Sequence, residues 1–536
     1  MATDYDVILI GGGINGAAAA AALTRQGYRI LLLEQNDFAS GTTAASTKLI
    51  HGGLRYLQAG NARLVHESLQ ARERLLRRRP HLVRPIPFLF PVYQDDPRPA
   101  PYVRGSLYLY DLISPRKVSP GHRSLARREL ERLEPALSAE DLAAAYLYYD
   151  AQILIPERLC IEYIAEARKA GADARNYCTV DFILVNDGVA SGVDYHDVIS
   201  GRRHHADAHM IVNAAGPWVD AVLKATGEPL RPRLGPTKGS HLVLDLQGRG
   251  PGHAVVANAH ADGRHIFVIP WLDHHILGTT DVRFAGDPRS AATEDWEVEY
   301  LVSEASRLLP GIGIDRSGIL YAYSGVRPLP YRPREALEKG IPSRHHLIDH
   351  KREGVAGLFS IVGGRLASAE RTAEAVVKAA RRVIGAPPRS GRPRALPAHE
   401  PVRMPFLSPD ARDHLARLYG PVAADVAGLA AAEPDLAEPI SPVHPDIGAQ
   451  VAYAVDREAA RTVGDVLLRR TAVGLTHDQG RAAAARVAAI MGDRLGWGET
   501  QRRAAVREYE RELRQRFTLM ASAPSPAAAK ALPQHA

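Results

Sequence analysis

The first 34 residues alternate between apolar runs and short glycine-rich or polar stretches. Residues 5–10 are a β-branched apolar run typical of a buried strand, and the glycines at 11–13 interrupt it. Residues 14–26 are rich in alanine and predict a helix, and residues 29–33 form a second apolar strand that ends at Glu34. This order predicts a strand–helix–strand unit at the start of the chain.

Hydrophobic periodicity also divides the remaining residues. Apolar runs end in glycine turns at 210–216 and 357–364, whereas residues 230–285 alternate apolar and polar positions as an antiparallel sheet does. We predict an α/β fold in which a Rossmann-like dinucleotide-binding domain is interleaved with an antiparallel-sheet domain of α+β type, followed by a C-terminal helical domain. The dinucleotide-binding domain is predicted to comprise residues 1–75, 150–225 and 345–385, and the antiparallel-sheet domain residues 76–149 and 226–344, so that together they span 1–385. A linker (386–407), the helical domain (408–515) and a disordered tail (516–536) are predicted to follow.

Length and composition narrow the functional classes. A chain of 536 residues favours two or three domains, and a net charge of +7 suits nucleic acid, an acidic membrane surface or an anionic substrate. Two cysteines, Cys160 and Cys178, exclude a disulfide framework and favour a reducing, cytoplasmic setting. Asp6, Asn15 and glycines interrupt the N-terminal apolar stretch, so we expect no signal peptide and only peripheral membrane contact.

Three glycines in the first turn carry the spacing G-x-G-x-x-G. Gly11 permits a tight turn, Gly13 lets a pyrophosphate approach the backbone, and Gly16 lets the helix pack close to the strand. The free N–H groups at the start of that helix attract phosphate, and Glu34 is placed to accept hydrogen bonds from ribose hydroxyls. The pattern predicts a bound dinucleotide and leaves NAD and FAD as alternatives.

Six further motifs follow in order: GTTAASTKLIHGGLRYL (41–57), VNAAGPWVD (212–220), KGSHLV (238–243), FVIPW (267–271), GTTDV (278–282) and YSGVRPL (323–329). Together they resemble the FAD-dependent glycerol-3-phosphate dehydrogenases, within the D-amino-acid-oxidase-like flavoprotein superfamily, over residues 4–385. Residues 408–515 resemble that family's C-terminal domain more loosely. The resemblance implies FAD bound non-covalently, hydride transfer from sn-glycerol 3-phosphate to flavin N5, and electrons passed to a membrane quinone. It further implies a peripheral position on the inner face of the cell membrane and no nucleic-acid partner. It leaves open whether the protein forms a homodimer.

The same resemblance assigns a cofactor site. The 41–57 segment is expected to wrap the flavin and its phosphates, and Val180 to meet the adenine through its backbone. The turn after Gly364 supplies a helix N-terminus that stabilises negative charge on reduced flavin. The expected cofactor residues are Gly11, Gly13, Asn15, Gly16, Glu34, Thr42, Thr43, Ser46, Thr47, Lys48, Val180, Ala214, Gly216, Gly364, Arg365 and Leu366.

A phosphorylated substrate needs fixed cations, and arginine binds phosphate through two parallel hydrogen bonds. By the resemblance, His241 is the candidate base or alkoxide stabiliser and Arg327 acts with it in catalysis, because a neutral imidazole can accept the hydroxyl proton. The paired histidines lie in no metal-binding context, so we predict no metal. The expected substrate-binding residues are Arg55, Tyr56, Lys238, Arg327 and Arg344.

One junction departs from the family pattern. Residues 363–370 read GGRLASAE, where the family usually reads close to GGKLTTYR. Arg365 keeps a positive charge, but Glu370 replaces a positive charge with a negative one. This leaves open a related oxidase or dehydrogenase that acts on another phosphorylated or anionic alcohol, a 2-hydroxy acid or an amine. A flavin-binding scaffold with little catalysis is a third interpretation.

Overall fold

A mainly parallel sheet contains the N-terminal strand–helix–strand unit. The computed structural model describes residues 3–58, 60–114, 117–331, 346–387 and 404–517, apart from the side chains of residues 55 and 58. Successive strands along the sheet are β17, β18, β10, β1, β2 and β7, and β9 and β8 continue antiparallel from β10. Their bounds are β1 Tyr5–Ile10, β2 Ile30–Leu33, β7 Asp173–Arg175, β8 Cys178–Asn186, β9 Val189–Asp197, β10 Arg203–Asn213, β17 His346–Asp349 and β18 Leu358–Val362.

Helices cover both faces of this sheet. The alanines of α1 (Ile14–Gln26) are buried from Ala17 to Ala21, and their small side chains let α1 pack closely between α6 (Pro156–Lys169) and α9 (Ala369–Val383). On the opposite face lie α7 (Val219–Lys224) and the hairpin formed by β8 and β9. The predicted dinucleotide-binding fold is confirmed.

A second sheet of ten strands forms the other part of residues 1–385. Its strands follow the order β15, β11, β14, β13, β12, β4, β6 and β3, with β16 beside β11 and β5 beside β6, and only β12 and β4 run parallel. The antiparallel sheet predicted for residues 230–285 is therefore confirmed. The strand bounds are β3 Leu49–Ile50, β4 Val83–Tyr93, β5 Arg123–Leu125, β6 Leu142–Ile153, β11 Thr237–Leu244, β12 Ala254–Asn258, β13 His265–Trp271, β14 His274–Gly278, β15 Val282–Arg283 and β16 Ile319–Arg327.

Five helices accompany the second sheet. Helix α8 packs on one face through Val298 and Leu301, and α4 packs through Val103 and Leu107 against the other. Their bounds are α2 Leu54–Gln58, α3 Ala62–Arg78, α4 Ala100–Leu112, α5 Arg127–Leu133 and α8 Asp295–Leu308.

The C-terminal residues are helical, with one short hairpin. The elements are α10 Pro409–Tyr419, α11 Ala423–Ala432, β19 Pro439–Ser441, β20 His444–Ile447, α12 Gly448–Glu458, α13 Val463–Arg469, α14 Ala484–Leu495 and α15 Glu499–Phe517. Helix α15 continues two residues into the stretch expected to be disordered, because Phe517 packs edge-on against Tyr321 with ring centroids 5.1 Å apart. The expected linker, apart from 404–407, and the tail from 518 onward lie outside the described residues. No helix among those described combines the length and apolar character needed to span a bilayer.

Candidate active site

A cavity of about 1600 Å³ lies between the parallel sheet, the loop at 40–48 and the helical domain. Ligand pockets for single small molecules are commonly about 300–1,000 Å³, so this cavity has room for a dinucleotide together with a small substrate. Gly16 and Thr47, two of the expected cofactor residues, do not line it. The expected cofactor residues that do line it are Gly11, Gly13, Asn15, Glu34, Thr42, Thr43, Ser46, Lys48, Val180, Ala214, Gly216, Gly364, Arg365 and Leu366.

Packing explains why the first turn needs glycine. Gly11 has a φ of 110°, and a Cβ there would lie 2.6 Å from the carbonyl oxygen of Ala214. A Cβ on Gly16 would overlap the carbonyl oxygen of Gly11, so Gly16 brings α1 against the turn. A Cβ on Gly13 would meet only the Thr43 hydroxyl at 3.5 Å, an ordinary contact. Gly13 therefore leaves open backbone toward the cavity, as a pyrophosphate requires.

Glu34 fixes the loop beside the turn. Its Oε2 accepts a hydrogen bond from Gly12 N at 2.6 Å, and its Oε1 accepts one from Asn36 N at 2.9 Å. Burial raises the pKa of Glu34, and these backbone donors act against that rise. A carboxylate has about four acceptor positions, so the side chain retains capacity for a ribose hydroxyl.

Two threonines of the 40–48 loop anchor it to neighbouring elements. Thr43 Oγ1 accepts a hydrogen bond from Ile14 N at 3.1 Å, and Thr42 Oγ1 donates to the carbonyl oxygen of Val326 at 2.7 Å. Both residues line the cavity, but their hydroxyls are engaged with the protein. They position the loop that the sequence predicts to wrap the flavin.

Lys48 also serves the loop. Its ammonium group donates to the carbonyl oxygen of Ala44 at 2.7 Å and lies 3.5 Å from Glu157, with both charged side chains buried. Burial lowers the pKa of Lys48, and Glu157 acts against that change. Because its charge is balanced within the protein, we attribute to Lys48 a role in holding the loop as well as lining the cavity.

His241 lies on β11 and is a neutral imidazole. Burial, followed by the charges of Arg327 and Lys48, holds the pKa of His241 well below its usual value. Its Nε2 lies 2.9 Å from Thr47 Oγ1, and its ring stacks on Tyr323 with centroids 4.9 Å apart. Nδ1 has no hydrogen-bond partner in the described parts of the chain. The ring orientation is therefore fixed and Nδ1 is left unpaired, although His241 does not itself line the cavity.

Arg327 lies on the same sheet face as His241, four residues further along the paired strands β11 and β16. Its Nη1 contacts Asp281 Oδ1 at 3.1 Å, and its Nη2 donates to Thr279 Oγ1 at 3.0 Å. A Cβ on Gly239 would overlap the guanidinium group, so this glycine lets Arg327 lie flat over β11. The side chain is about one-third exposed, at 30%. Arg327 does not itself line the cavity, but its neighbours Val326 and Pro328 do.

Arg365 presents buried donors without acceptors. Its Nη2 contacts the Ser68 hydroxyl, and its guanidinium carbon lies 5.1 Å from the centre of the Tyr56 ring. Its Nε and Nη1 are buried and have no hydrogen-bond partner among the described residues. Burial lowers the pKa of Arg365. A buried cation with unused N–H groups is costly unless an anion satisfies it, and Arg365 lines the cavity.

Lys238, an expected substrate-binding residue, is paired within the protein. Its ammonium group contacts Ala292 O at 2.8 Å, Glu294 Oε1 at 2.7 Å and Glu297 Oε2 at 2.9 Å. These three acceptors match its three N–H donors, and the side chain is buried away from the cavity. Lys238 thus joins β11 to the start of α8. Sequence could not reveal this, because its partners lie more than 50 residues away.

The substituted junction does not place a free negative charge in the cavity. Glu370 accepts from Tyr163 OH at 3.2 Å and pairs with Arg74 at 3.4 Å and Arg78 at 3.3 Å. The carboxylate is therefore neutralised on the side of α3, and it does not line the cavity. The difference from the family pattern is absorbed by a local ion-pair cluster.

Two family models match the chain. Residues 6–369 match the model described as FAD dependent oxidoreductase, and residues 359–502 match the C-terminal domain of alpha-glycerophosphate oxidase. A glycerol-3-phosphate dehydrogenase of Synechocystis is 36% identical over 96% of this chain and 97% of its own length. The chain belongs to the glycerol-3-phosphate dehydrogenase family of FAD-dependent oxidoreductases.

Two other relatives agree with membership of the glycerol-3-phosphate dehydrogenase family. The aerobic glycerol-3-phosphate dehydrogenase of Escherichia coli is 33% identical over 88% of this chain and 94% of its own length. The solved glycerol-3-phosphate dehydrogenase of Bacillus halodurans, complexed with FAD, is 25% identical with a TM-score of 0.74 over 97% of this chain and 96% of that one. The cofactor of the chain is therefore FAD, which resolves the choice that the glycine spacing left open. The glycine turn, Glu34 and the cavity fit this group.

Two expected residues are not described, and one buried residue of the 41–57 motif was given no role. The side chain of Arg55, and Arg344 as a whole, lie outside the described residues. His51 was not assigned a role, although it precedes Gly52 and Gly53 within the 41–57 motif. Burial lowers the pKa of His51, with Asp150 acting against that change and Arg365 with it. Its membership of the motif was the available signal.

A cluster of two histidines and one aspartate lies in the helical domain, although the sequence predicts no metal site. His414 Nε2 lies 2.6 Å from Asp446 Oδ1, and His444 Nδ1 lies 2.9 Å from Asp446 Oδ2. Asp446 also accepts a hydrogen bond from Ala472 N at 3.0 Å and one from Gln450 Nε2. The carboxylate is satisfied by these donors, so we interpret the cluster as a buried structural network.

Proposed function

We propose that this protein oxidises sn-glycerol 3-phosphate to dihydroxyacetone phosphate. The observation that carries the proposal is the buried guanidinium of Arg365, a residue that lines the FAD cavity and has two nitrogens without partners among the described residues. A phosphate dianion offers the acceptors that this cation lacks. The Synechocystis and Escherichia coli relatives, which carry the name glycerol-3-phosphate dehydrogenase, support the same substrate.

Arg365 and Arg327 lie on neighbouring segments. Gly363 N donates to the carbonyl oxygen of Pro328 at 2.8 Å, which joins the turn before Arg365 to the end of β16 just after Arg327. Val326 and Pro328, on either side of Arg327, line the cavity. We infer that Arg365 binds the phosphate and that Arg327 orients the carbon chain, together with Tyr56 and Arg55.

Oxidation of a secondary alcohol removes a hydride from carbon and a proton from oxygen. FAD, when bound, supplies the acceptor for the hydride and its two electrons. His241 accepts the hydroxyl proton at Nδ1, because that nitrogen has no other partner in the described residues and the ring is neutral. Thr47 and Tyr323 keep the imidazole from rotating. Arg327 then stabilises the negative charge that develops on the substrate oxygen.

We further propose a quinone in a membrane as the final electron acceptor, with α4 as the surface that meets the membrane. The exposed face of α4 carries Tyr102, Tyr108, Leu109 and Leu112, at helical spacing, with Tyr108 65% and Leu112 69% exposed. Arg104, which is also exposed, adds a positive charge suited to anionic lipid.

The buried face of α4 connects this surface to the active site. Tyr110 OH donates to Asp150 Oδ2 at 2.9 Å, and the ring packs against the Gly52 turn that precedes α2. Helix α2 carries Arg55 and Tyr56. The basic run Arg77–Arg79 is a poorer candidate for the membrane surface, because Arg78 pairs with Glu370 and Arg79 with Glu166.

Anaerobic stopped-flow mixing tests the substrate. Flavin absorbance should bleach with sn-glycerol 3-phosphate and far more slowly with glycerol, lactate or glycine at equal concentration. Reoxidation of the reduced protein by a soluble quinone analogue should be faster than by oxygen. Rapid bleaching by lactate or glycine would contradict the substrate, and preferential reoxidation by oxygen would contradict the acceptor.

Vesicle sedimentation tests the membrane surface. Leu112→Asp should reduce binding to phosphatidylglycerol-containing vesicles at least tenfold, because it places a charge on the apolar face. The control is Val443→Asp, since Val443 is 76% exposed but lies in the helical domain. Equal loss in both variants, or none in Leu112→Asp, would remove α4 from the membrane.

A further inference from the structure

The segment that follows β2 is part of the FAD site, yet it has no regular secondary structure of its own. Residues 34–43 line the cavity almost continuously, and Glu34 holds the glycine turn from this segment. We propose that the C-terminal helical domain holds this segment in its FAD-binding position through Asp37, so that FAD affinity depends on residues far along the chain from the dinucleotide fold. The proposal requires only FAD as the cofactor and is independent of the substrate.

Asp37 is the main connection. It is 1% exposed, and its Oδ2 contacts Arg469 Nε at 2.6 Å and Arg470 Nη1 at 2.7 Å. Its Oδ1 accepts from Arg470 Nη2 at 2.9 Å and from Asn176 Nδ2 at 3.0 Å. Burial tends to raise the pKa of Asp37, but Arg470 and Arg469 hold it at about 2. Four charge-assisted or amide hydrogen bonds thus fix one carboxylate three residues after Glu34.

Tyr177 forms a second connection. Its hydroxyl donates to Asp465 Oδ1 at 2.7 Å in the helical domain, and its backbone N donates to Asn36 O at 3.0 Å in the FAD-binding segment. Asp465 also pairs with Arg469 at 2.8 Å, so the two connections share one buried network. Tyr177 itself lines the cavity.

The end of α15 forms a third contact. Arg516 Nη2 donates to the carbonyl oxygen of Ser40 at 3.1 Å, and both residues line the cavity. The helical domain thus contacts the segment directly at Asp37 and Ser40, and indirectly through Tyr177 at Asn36.

The buried charges distinguish these contacts from ordinary packing between two domains. Removing one member of a buried ion network leaves its partner desolvated, so the local structure rearranges to rehydrate it. A shift of Asp37 is transmitted to Glu34, because Asn36 N donates to Glu34 Oε1 at 2.9 Å. Asp37 and Tyr177 are therefore positioning residues, and their loss should appear first as weaker FAD binding.

FAD affinity of the full-length apoprotein tests this inference. The flavin is removed, and FAD is titrated by fluorescence quenching without substrate, well below the melting temperature. We expect Asp37→Asn and Arg469→Met each to raise the Kd for FAD at least tenfold, and Tyr177→Phe to raise it at least threefold. A double variant of Asp37 and Arg469 should be no worse than the poorer single variant, because the two residues act through one contact.

The control variant is Met491→Ala, which opens a cavity in the core of the helical domain without touching the network. It should lower the melting temperature and leave the Kd for FAD unchanged. Should Asp37→Asn fail to fold, Tyr177→Phe decides, because it removes only a hydroxyl. Wild-type FAD affinity in Tyr177→Phe, or an equal loss of affinity in Met491→Ala, would overturn the proposal.

Discussion

Replacing Arg365 by methionine tests the origin of the preference for a phosphorylated substrate. Methionine approximates the length of the arginine stem and has no charge or N–H donor. In the wild-type protein Nε and Nη1 of Arg365 are buried without partners among the described residues, so the free protein bears the cost of two unsatisfied donors. A bound phosphate would use both.

The expected magnitude follows from those two donors. A hydrogen bond to a charged group contributes about 1.5–3 kcal/mol, so two of them contribute roughly 3–6 kcal/mol to substrate binding. At about 1.4 kcal/mol for each factor of ten, the ratio kcat/KM for glycerol 3-phosphate should fall by about two to four orders of magnitude. The apoprotein should meanwhile become more stable, because the variant removes a buried cation without acceptors.

The assay is anaerobic flavin reduction over a range of glycerol 3-phosphate concentrations, with inorganic phosphate as a competitive ligand and a thermal melt of the apoprotein. The variant should lose inhibition by phosphate together with its kcat/KM. Arg74→Met is the matched control, since Arg74 pairs with Glu370 and Glu374 outside the cavity. A loss of less than about threefold, or an equal loss in the control, would refute the assignment of Arg365 to the phosphate.

Further predictions concern three residues of strand β11, which are His241, Lys238 and Gly239. Because His241 is neutral, the rate of flavin reduction at saturating substrate should not change between about pH 6 and 8, and an inflection near pH 6.5 would contradict this. The variant His241→Gln should reduce its flavin more slowly than the wild type. Folding lowers the pKa of His241, so the unfolded chain takes up a proton below about pH 6.5 that the folded protein does not. The free energy of unfolding should therefore be higher above about pH 6.5 than below it, and chemical denaturation at each pH can check this. Lys238→Met should lower the free energy of unfolding by about 3–5 kcal/mol and leave the kcat/KM of the folded enzyme within threefold of the wild type. A fall in kcat/KM without a loss of stability would place Lys238 at the substrate. Gly239→Ala should lower kcat/KM at least tenfold at unchanged FAD content, because the added methyl group overlaps the guanidinium of Arg327; wild-type kinetics would show that Arg327 need not lie there.

Sequence was sufficient where the relevant contacts are local. The turn at Gly11 and the helix that begins at Ile14 follow from the glycine spacing and the alanine-rich run of contiguous residues. The ordered motifs identified the family, and a motif singled out His241 among 22 histidines. Its neutral state, however, follows from burial beneath Tyr323 and Thr47, which no sequence pattern expresses.

Tertiary structure decided the roles of charged side chains. Lys238 was expected at the substrate, but its partners arrive from the turn before α8 and from α8 itself, and they use all of its donors. Glu370 adds a negative charge at the junction that departs from the family pattern, but two arginines of α3 neutralise it.

The chain by itself therefore determined the fold, the cofactor and the class of reaction, because those depend on backbone geometry and on motifs of contiguous residues. Which charges are free to bind a ligand depends on partners hundreds of positions apart, as between Asp37 and Arg470. Electrostatic energies change steeply with distance and burial, and both are properties of the assembled structure.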